Sequence, residues 1–404
     1  MTKRRSIFLD YLSTTPLLQE VWQSMEKVVF SSNANPSSSH AWGREARKYL
    51  EEAREQVATL LQARPTEIIF TSGATEANNL AVFGLSSVEF PHIVSSEFEH
   101  PCVIEPIRSL EKMDYKVDWI KVQNNGIVDV HQMMNSIKAD TGLLTLMLVN
   151  HETGAIQPVQ EVVSKAKVKS LELYSSTISS SSKTPFRAPL QVHCDASQAV
   201  GKIFVSFREL GVDTLSISAH KFNGPKGIGV LVLREGEKLT PLFRGGFQQQ
   251  GKRPGTEPVF LAVGLATALR LAIEQMEVRL EKVKALRNRF IDNLSRSKIK
   301  FVFNTDFDVS IPYVVNVSFP PISAALLLMK FDLVQIFCSA GSACASGSLL
   351  PSPVLRSMNL PKELIQSALR FGFSPDLTIE DIDYTTSELI KIIQQLTNCE
   401  DRKS

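Results

Sequence analysis

The chain has 404 residues, 43% of them hydrophobic and 21% charged, with a formal net charge of +2. That is an ordinary soluble globular composition, long enough for two domains, and the near-neutral balance gives no electrostatic footprint for nucleic acid or a strongly anionic partner. No apolar run approaches the roughly 18 residues of a membrane span. The N-terminal MTKRRSIFLDY has charges but no apolar stretch ahead of a small-residue cleavage site, so neither a membrane nor secretion is expected. The cysteines, at 102, 194, 338, 344 and 399, are odd in number and show no C-x-x-C spacing. Neither a disulfide framework nor a metal site is expected, and a reduced cytoplasmic compartment fits.

In chain order, residues 20–31 read as a helix and Asn35–His40 (NPSSSH) as a turn-rich loop. Ala41–Leu61 is a long periodic helix with Ala46, Leu50, Ala53, Val57 and Leu61 on one face. A short strand at Glu67–Thr71 leads through SGATEANN into an apolar helical pattern at Leu80–Leu85. Strand-like runs recur at 93–95, 116–120, 143–150, 190–194, 214–218 and 228–233, with helical segments between most of them. This alternation predicts an α/β domain with a mostly parallel sheet, whose ligand sits beyond the carboxyl ends of the strands. Residues 175–184, SSTISSSSKT, are a low-complexity tract with little to bury and read as a surface insertion. Phe260–Leu294 reads as one long helical region bridging two domains. Beyond it come strands at 300–303 and 314–319, a helix at 324–330, a glycine-serine loop and two terminal helices. The expected division is a large domain over 15–260 and a small α+β domain from 1–14 and 261–404.

Six stretches carry candidate chemistry. In LSISAHKFNGPKGIG, 215–229, Lys221 stands where an apolar strand ends. Burial there frees an amine to form a Schiff base with a carbonyl cofactor, whereas a solvated turn lysine would be inert. In SGATEANN, 72–79, backbone N–H groups around Ala74 and the Thr75 hydroxyl suit a phosphate, and equally a helix cap with Glu76 in its first turn. In VHCDASQAVG, 192–201, Asp195 ends a strand as a cap or as the partner of a protonated ring nitrogen, with Gln198 near it. His100, after Glu99, can be structural, or can stack on a planar ring and move protons. In SAGSACASGS, 339–348, Cys344 is flanked by small residues and so reads as an accessible nucleophile, while Cys338 in LVQIFC reads as core. Arg370, in the apolar SALRFGF, needs an anion, either a protein carboxylate or an amino-acid substrate.

Taken together, these motifs resemble the cysteine desulfurases of the NifS/IscS type, among the class V aminotransferase-like, fold-type I pyridoxal phosphate (PLP) enzymes. The resemblance runs from about residue 7 to 396 and rests on LDYLSTTP, NPSSSHAWGR, IIFTSGATEANN, SSEFEH, HCDASQAVGK, SAHKFNGPKGIG, RPGTE and SAGSACASGS followed by PSPVLRSM. The cysteine loop resembles that of the longer-loop group. The resemblance implies that Lys221 bears the cofactor, Asp195 pairs with its ring nitrogen and His100 stacks on it. Gln198 would contact the phenolic oxygen, and Thr75, Ser218 and His220 the phosphate. Thr256 would complete the phosphate site of the other subunit in a homodimer. It also implies that Asn150, His151 and Arg370 lie near the substrate L-cysteine and the cofactor. Cys344 would accept the sulfur and pass it to a sulfur-acceptor protein, an iron–sulfur scaffold or a thiolation carrier. The chain departs from the family where His151 replaces a second asparagine and Phe247 stands in a usual Gly-Gly-Gly-Gln run, where it is expected to crowd the phosphate loop. It departs again at the serine-rich insertion and after Arg370, where Gly372-Phe373-Ser374-Pro375 stands. A selenocysteine lyase, or a partner in sulfur transfer that has lost catalysis, are the alternatives.

Overall fold

A seven-stranded sheet organises the chain between residues 68 and 233. The computed structural model describes residues 6–32, 34–177, 190–341 and 351–401. From the N-terminus, β1 (Ile7–Phe8) precedes α1 (Gln19–Ser31) and α2 (Ala41–Leu60). The sheet region follows as β2 (Ile68–Thr71), α3 (Ala74–Leu85), β3 (His92–Ser96), α4 (Pro101–Glu111), β4 (Lys116–Ile120), α5 (Val130–Asn135), β5 (Thr141–Thr145), α6 (Val159–Thr177), β6 (Gln191–Asp195), α7 (Phe207–Leu210), β7 (Thr214–Ser218) and β8 (Gly229–Leu233). The order across the sheet is β2-β8-β7-β6-β5-β3-β4, and β8 alone runs against its neighbours. The carboxyl ends of β2, β3, β5, β6 and β7 therefore share one edge, where the loops that follow them meet.

Packing explains both faces. α3 and α4 lay Ala77, Leu80, Val103 and Ile107 on Ile69, Ile93, Leu143 and Leu231. On the other face α2, α6 and α8 (Val259–Glu274) bring Leu50, Val162 and Leu265 into the core with Val94, Leu144, Val192 and Leu215. α2 begins where expected because the His40 imidazole accepts the Gly43 N–H at 3.2 Å, capping its first turn.

The rest of the chain is α9 (Met276–Ser295), β9 (Val302–Phe303), β10 (Val314–Ser318), α10 (Ala324–Leu333), β11 (Ile336–Phe337), α11 (Pro353–Ser357), α12 (Lys362–Gln366), β12 (Ala368–Gly372) and α13 (Ile379–Asp401). β10 is central to an antiparallel sheet with β9 and β12, and β1 pairs parallel with β11. Bridges Asp10–Gly372 and Ser339–Arg370 tie the two small sheets together.

Four expectations are corrected. The helical region 260–294 is two helices, α8 and α9, bent by 68° at Gln275. Strong helix formers run through the bend, so the sequence carries no breaker there. The stretch 143–150 is strand only to Thr145, then an irregular segment held by a Val149–Ile156 bridge. The helix expected at 80 begins at Ala74. Arg370 lies on a strand, β12, where terminal helices were expected, because it pairs with the distant β10. The serine tract is helical through Thr177 at the end of α6, and residues 178–184 lie outside the described residues. Among the described residues no single helix is long and apolar enough to cross a membrane.

Candidate active site

The loops at that shared sheet edge enclose a cavity of about 390 Å³. Lys221, Asp195, His100, His151, Ser218, His220, Ala74, Thr75, Gln198 and Arg370 all line it. Lys221 does not end the strand itself. β7 stops at Ser218, and a 3₁₀ turn over Ala219–Lys221 carries the lysine into the cavity. Its ammonium donates to the carbonyls of Leu12 (2.7 Å) and Ser13 (2.8 Å), so the N-terminal segment holds it in place. In the same turn His220 Nδ1 lies 3.1 Å from the Thr14 hydroxyl. Burial, then Lys221, Lys226 and Lys202, hold the His220 imidazole down to about 4.

Two glycines let the backbones close in here. Gly73, at φ +154°, caps α3 without a side chain, and a Cβ built on it would stand 3.7 Å from Ser218 Oγ. Gly229 passes so close to Gly73 that a Cβ would meet its carbonyl carbon at 2.7 Å. The amino end of α3, with Ala74 and Thr75, is thereby pressed against the end of β7. Glu76 accepts the Ser72 N–H at 2.6 Å and binds Arg253 at 2.7 Å, so the helix start has a cap as well as a face toward the cavity.

Asp195 closes β6. Its Oδ1 accepts the Ser197 N–H (2.9 Å) and its Oδ2 accepts from Asn78 (2.8 Å). Gln198 donates to the Leu12 carbonyl (2.9 Å) and accepts from Lys202 (2.8 Å). Lys202 is buried, and desolvation, then Lys221 and Arg370, bring its amine down to about 7. His100 caps α4, its Nδ1 accepting the Cys102 N–H at 3.2 Å. Burial lowers its pKa, and Lys221 and Arg370 push the same way against Asp195. His151 meets His100 edge-on, ring centres 4.9 Å apart. Burial, then His100, Arg370 and Lys221, hold it well below the usual histidine range.

Arg370 is 2% exposed. It donates to Asp10 Oδ1 (2.8 Å) and to the His151 carbonyl (2.9 Å). Asp10 also accepts from Ser339 (2.9 Å), whose backbone pairs with Arg370. The protein carboxylate that Arg370 required is therefore present, on LDYLSTTP. Glu152, buried beside His151, accepts from Ser352 at 2.7 Å, and a Cβ on Gly341 would stand 3.7 Å from its oxygens. Both flanks of residues 342–350 thus rest on one carboxylate. Cys344 itself lies outside the described residues.

Two candidates do not line the cavity. Asn150 is fully buried, donating to the Phe98 carbonyl (3.0 Å) and accepting the N–H groups of Glu152 (2.8 Å) and Thr153 (3.0 Å). Its amide is spent on the turn that carries His151. Thr256 is exposed on a loop. Phe247 is 91% exposed and away from the cavity, so it does not crowd the α3 end. The residues that sequence reasoning passed over are Asn78, His193, Lys202, Asp10, Cys102 and Glu152. All but Glu152 sit inside quoted motifs or beside them, but their roles depend on which distant group each one meets. Cys338 packs against the core, as read, and burial raises its thiol pKa.

Residues 7–175 and 183–385 match the aminotransferase class-V family. The chain is 40% identical over 396 residues to the cysteine desulfurase IscS of Dictyoglomus turgidum, covering 97% of this chain and 96% of that one. Against the human cysteine desulfurase it is 37% identical over 398 residues, covering 97% and 82%. Among solved structures, a NifS-like protein superposes with a TM-score of 0.87 at 31% identity, covering 96% of this chain and 100% of the other. SspA in complex with cysteine gives 0.76 at 29% identity, covering 92% and 99%.

Proposed function

This chain belongs to the aminotransferase class-V family, and from that premise we infer that it is a cysteine desulfurase that supplies sulfur for iron–sulfur clusters or thiolation. The reaction is L-cysteine plus the Cys344 thiol giving L-alanine plus a Cys344 persulfide, balanced without an external oxidant or reductant. The observation that carries the reading is the convergence of Lys221, Asp195, His100 and Arg370 on one cavity at the carboxyl edge of the sheet.

The residues fit pyridoxal phosphate. Arg370 Nε, His151 Nδ1 and Ser197 Oγ are buried polar atoms of the cavity's lining residues with no hydrogen-bond partner among the described residues. A polar ligand meets that demand. Ala74, Thr75, Ser218 and His220 cluster at the amino end of α3, where backbone N–H groups suit a phosphate. Of the other lining residues, Asp195 would pair with the ring nitrogen, Gln198 would contact the phenolic oxygen and His100 would stack on the ring. His151 completes the cofactor contacts, and Thr256 serves the partner's phosphate site in a homodimer. When bound, the cofactor supplies a carbonyl that condenses with amines and a ring that takes up the charge of a deprotonated α-carbon.

The chain's own groups do the rest. Arg370 orients the substrate carboxylate while Asp10 holds the guanidinium from behind. Asn150 contributes through the turn that carries His151. Lys221 Nζ takes the α-proton. His100 has its Nδ1 engaged by the Cys102 N–H, so Nε2 is the nitrogen that carries and passes a proton. The Cys344 thiolate attacks the substrate sulfur, and the S–S bond forms as the C–S bond breaks. The C–S electron pair stays with the β-carbon, which takes up the proton released by the Cys344 thiol, and the proton held on Lys221 returns to the α-carbon to give alanine. A sulfur-acceptor protein then takes the terminal sulfur.

Purified protein should show visible cofactor absorbance, and borohydride should fix the cofactor to Lys221. It should form alanine from cysteine. Comparing the rate with selenocysteine tests whether sulfur is the preferred chalcogen. A protein with neither absorbance nor adduct refutes the reading.

A further inference from the structure

β6 and β7 lie inside the sheet, helices cover both faces, and every residue of the two strands but Gln191 is buried. Such strands are ordinarily apolar on both sides. These two are not. Val192, Cys194, Leu215 and Ile217 point into one core, but His193, Asp195, Thr214 and Ser216 alternate with them and face α3. The register places His193 opposite Thr214 and Asp195 opposite Ser216, so the four make a polar square. Asn78, fully buried on α3, stands over it.

The hydrogen bonds of the square fill the Asn78 amide and run in one direction. Asn78 Nδ2 donates to Asp195 Oδ2 at 2.8 Å and to Cys102 Sγ at 3.0 Å. Asn78 Oδ1 is bonded to Ser216 Oγ and lies 2.9 Å from His193 Nε2. An amide oxygen only accepts, so His193 Nε2 must carry a proton and Ser216 must donate. His193 Nδ1, 2.9 Å from Thr214 Oγ1, is then the acceptor of the Thr214 hydroxyl. With all four amide positions taken, a flipped Asn78 would set its oxygen against the Asp195 carboxylate and its N–H against the His193 N–H. Only one orientation satisfies every partner.

We propose that Asn78 and His193 are positioning residues for Asp195: the chain Thr214–His193–Asn78–Asp195 locks the carboxylate's orientation, so that it faces the cavity ready for a cationic ring nitrogen. The inference rests on the cofactor reading above, but its geometry does not. His193 is suited to the part, because burial holds its imidazole at about 4 against the pull of Asp195. It therefore stays neutral, with a fixed tautomer, across the working pH range. A protonated histidine there would give Nδ1 a hydrogen that the Thr214 hydroxyl would have to turn to accept.

The test uses the cofactor-loaded protein and four variants: Asn78→Ala, His193→Leu, His193→Gln and Asp195→Asn. The readouts are cofactor affinity, the pH midpoint of the bound cofactor's visible absorbance, and cysteine turnover. Asn78→Ala and His193→Leu should each weaken cofactor binding about tenfold or more, move the midpoint, and lower kcat more than they raise KM. His193→Gln, whose Nε2 can still donate to Asn78, should restore most of each. Asn78→Ala added to Asp195→Asn should cost little beyond Asp195→Asn alone, since residues acting through one another are not additive. If Asn78→Ala fails to fold, Thr214→Val removes only the last link and should shift the midpoint in the same direction. Variants whose affinity and midpoint match wild type within twofold, or an additive double variant, overturn the inference. A wild type that fixes no cofactor at Lys221 overturns instead the reading on which it rests.

Discussion

Lys202→Met isolates the energetics of an amine buried behind the cavity. Lys202 is 5% exposed, with Nζ bonded to Gln198 Oε1 at 2.8 Å and to its carbonyl at 3.2 Å. Burial, then Lys221 and Arg370, lower its pKa to about 7, against about 10.4 in an unfolded chain. Between those values the unfolded state binds a proton that the folded state does not, so the lysine's contribution to stability improves as pH rises. At about 1.4 kcal/mol per unit, its cost is about 4–5 kcal/mol at pH 6 and about 2 kcal/mol at pH 9. Methionine has nearly the same volume and no proton to lose, and it forfeits the bonds to Gln198 equally at every pH. The stability difference between Lys202→Met and wild type should therefore shrink by about 2–3 kcal/mol from pH 6 to pH 9. Urea unfolding of both proteins in the same cofactor state, across that range, measures this difference and cancels the titrating groups that Lys202 does not act on. Parallel pH profiles would show that Lys202 keeps an ordinary pKa and would refute the reasoning.

Asp10→Ala leaves the Arg370 guanidinium without its carboxylate in a site 2% exposed, and should cost about 3–5 kcal/mol in urea unfolding and raise the KM for cysteine. Asp10→Asn keeps an acceptor and should cost less. His151 and His220 are held neutral by burial and neighbouring cations, whereas in the unfolded chain they protonate below about 6.5. Stability should accordingly fall as pH drops below that value, and His151→Asn or His220→Asn should flatten the acid limb of a thermal-denaturation series. Cys344→Ala should keep the cofactor's absorbance and its borohydride adduct at Lys221 but form no persulfide by mass spectrometry. Desulfuration at wild-type rates in that variant would remove Cys344 from the mechanism.

The sheet was legible because its strands are short apolar runs between turn residues and helices, and that period survives in the sequence. The bend at Gln275 was not, because Ala-Ile-Glu-Gln-Met-Glu-Val-Arg favours helix on both sides of it, and the packing alone sets the angle. β12 was missed for a related reason. Ala368–Gly372 is a strand because β10, more than 50 residues earlier, offers its edge, and no local pattern announces such a partner. At the site, type and motif were enough to single out Lys221, Asp195, His100 and Arg370, which the fold brings to one cavity. Asn150 was misplaced because an amide beside a functional histidine reads the same whether it faces a ligand or builds the turn underneath, as its bonds to Glu152 and Thr153 show it does.

The polar square marks where further reading was possible. His193-Cys194-Asp195 and Thr214-Leu215-Ser216 alternate polar and apolar residues, a pattern that ordinarily means one wet face. An α/β reading, however, requires both faces of these strands to be covered by helices. The two statements agree only if the polar row is buried and internally paired, since each unpaired group there would cost about 1–3 kcal/mol. A conflict between strand pattern and predicted burial is thus a sign of a built network, visible before any coordinates. What it cannot supply is the element that answers the row. Asn78 belongs to the helix after a different strand, more than 100 residues earlier in sequence, and only the fold brings its amide to Asp195.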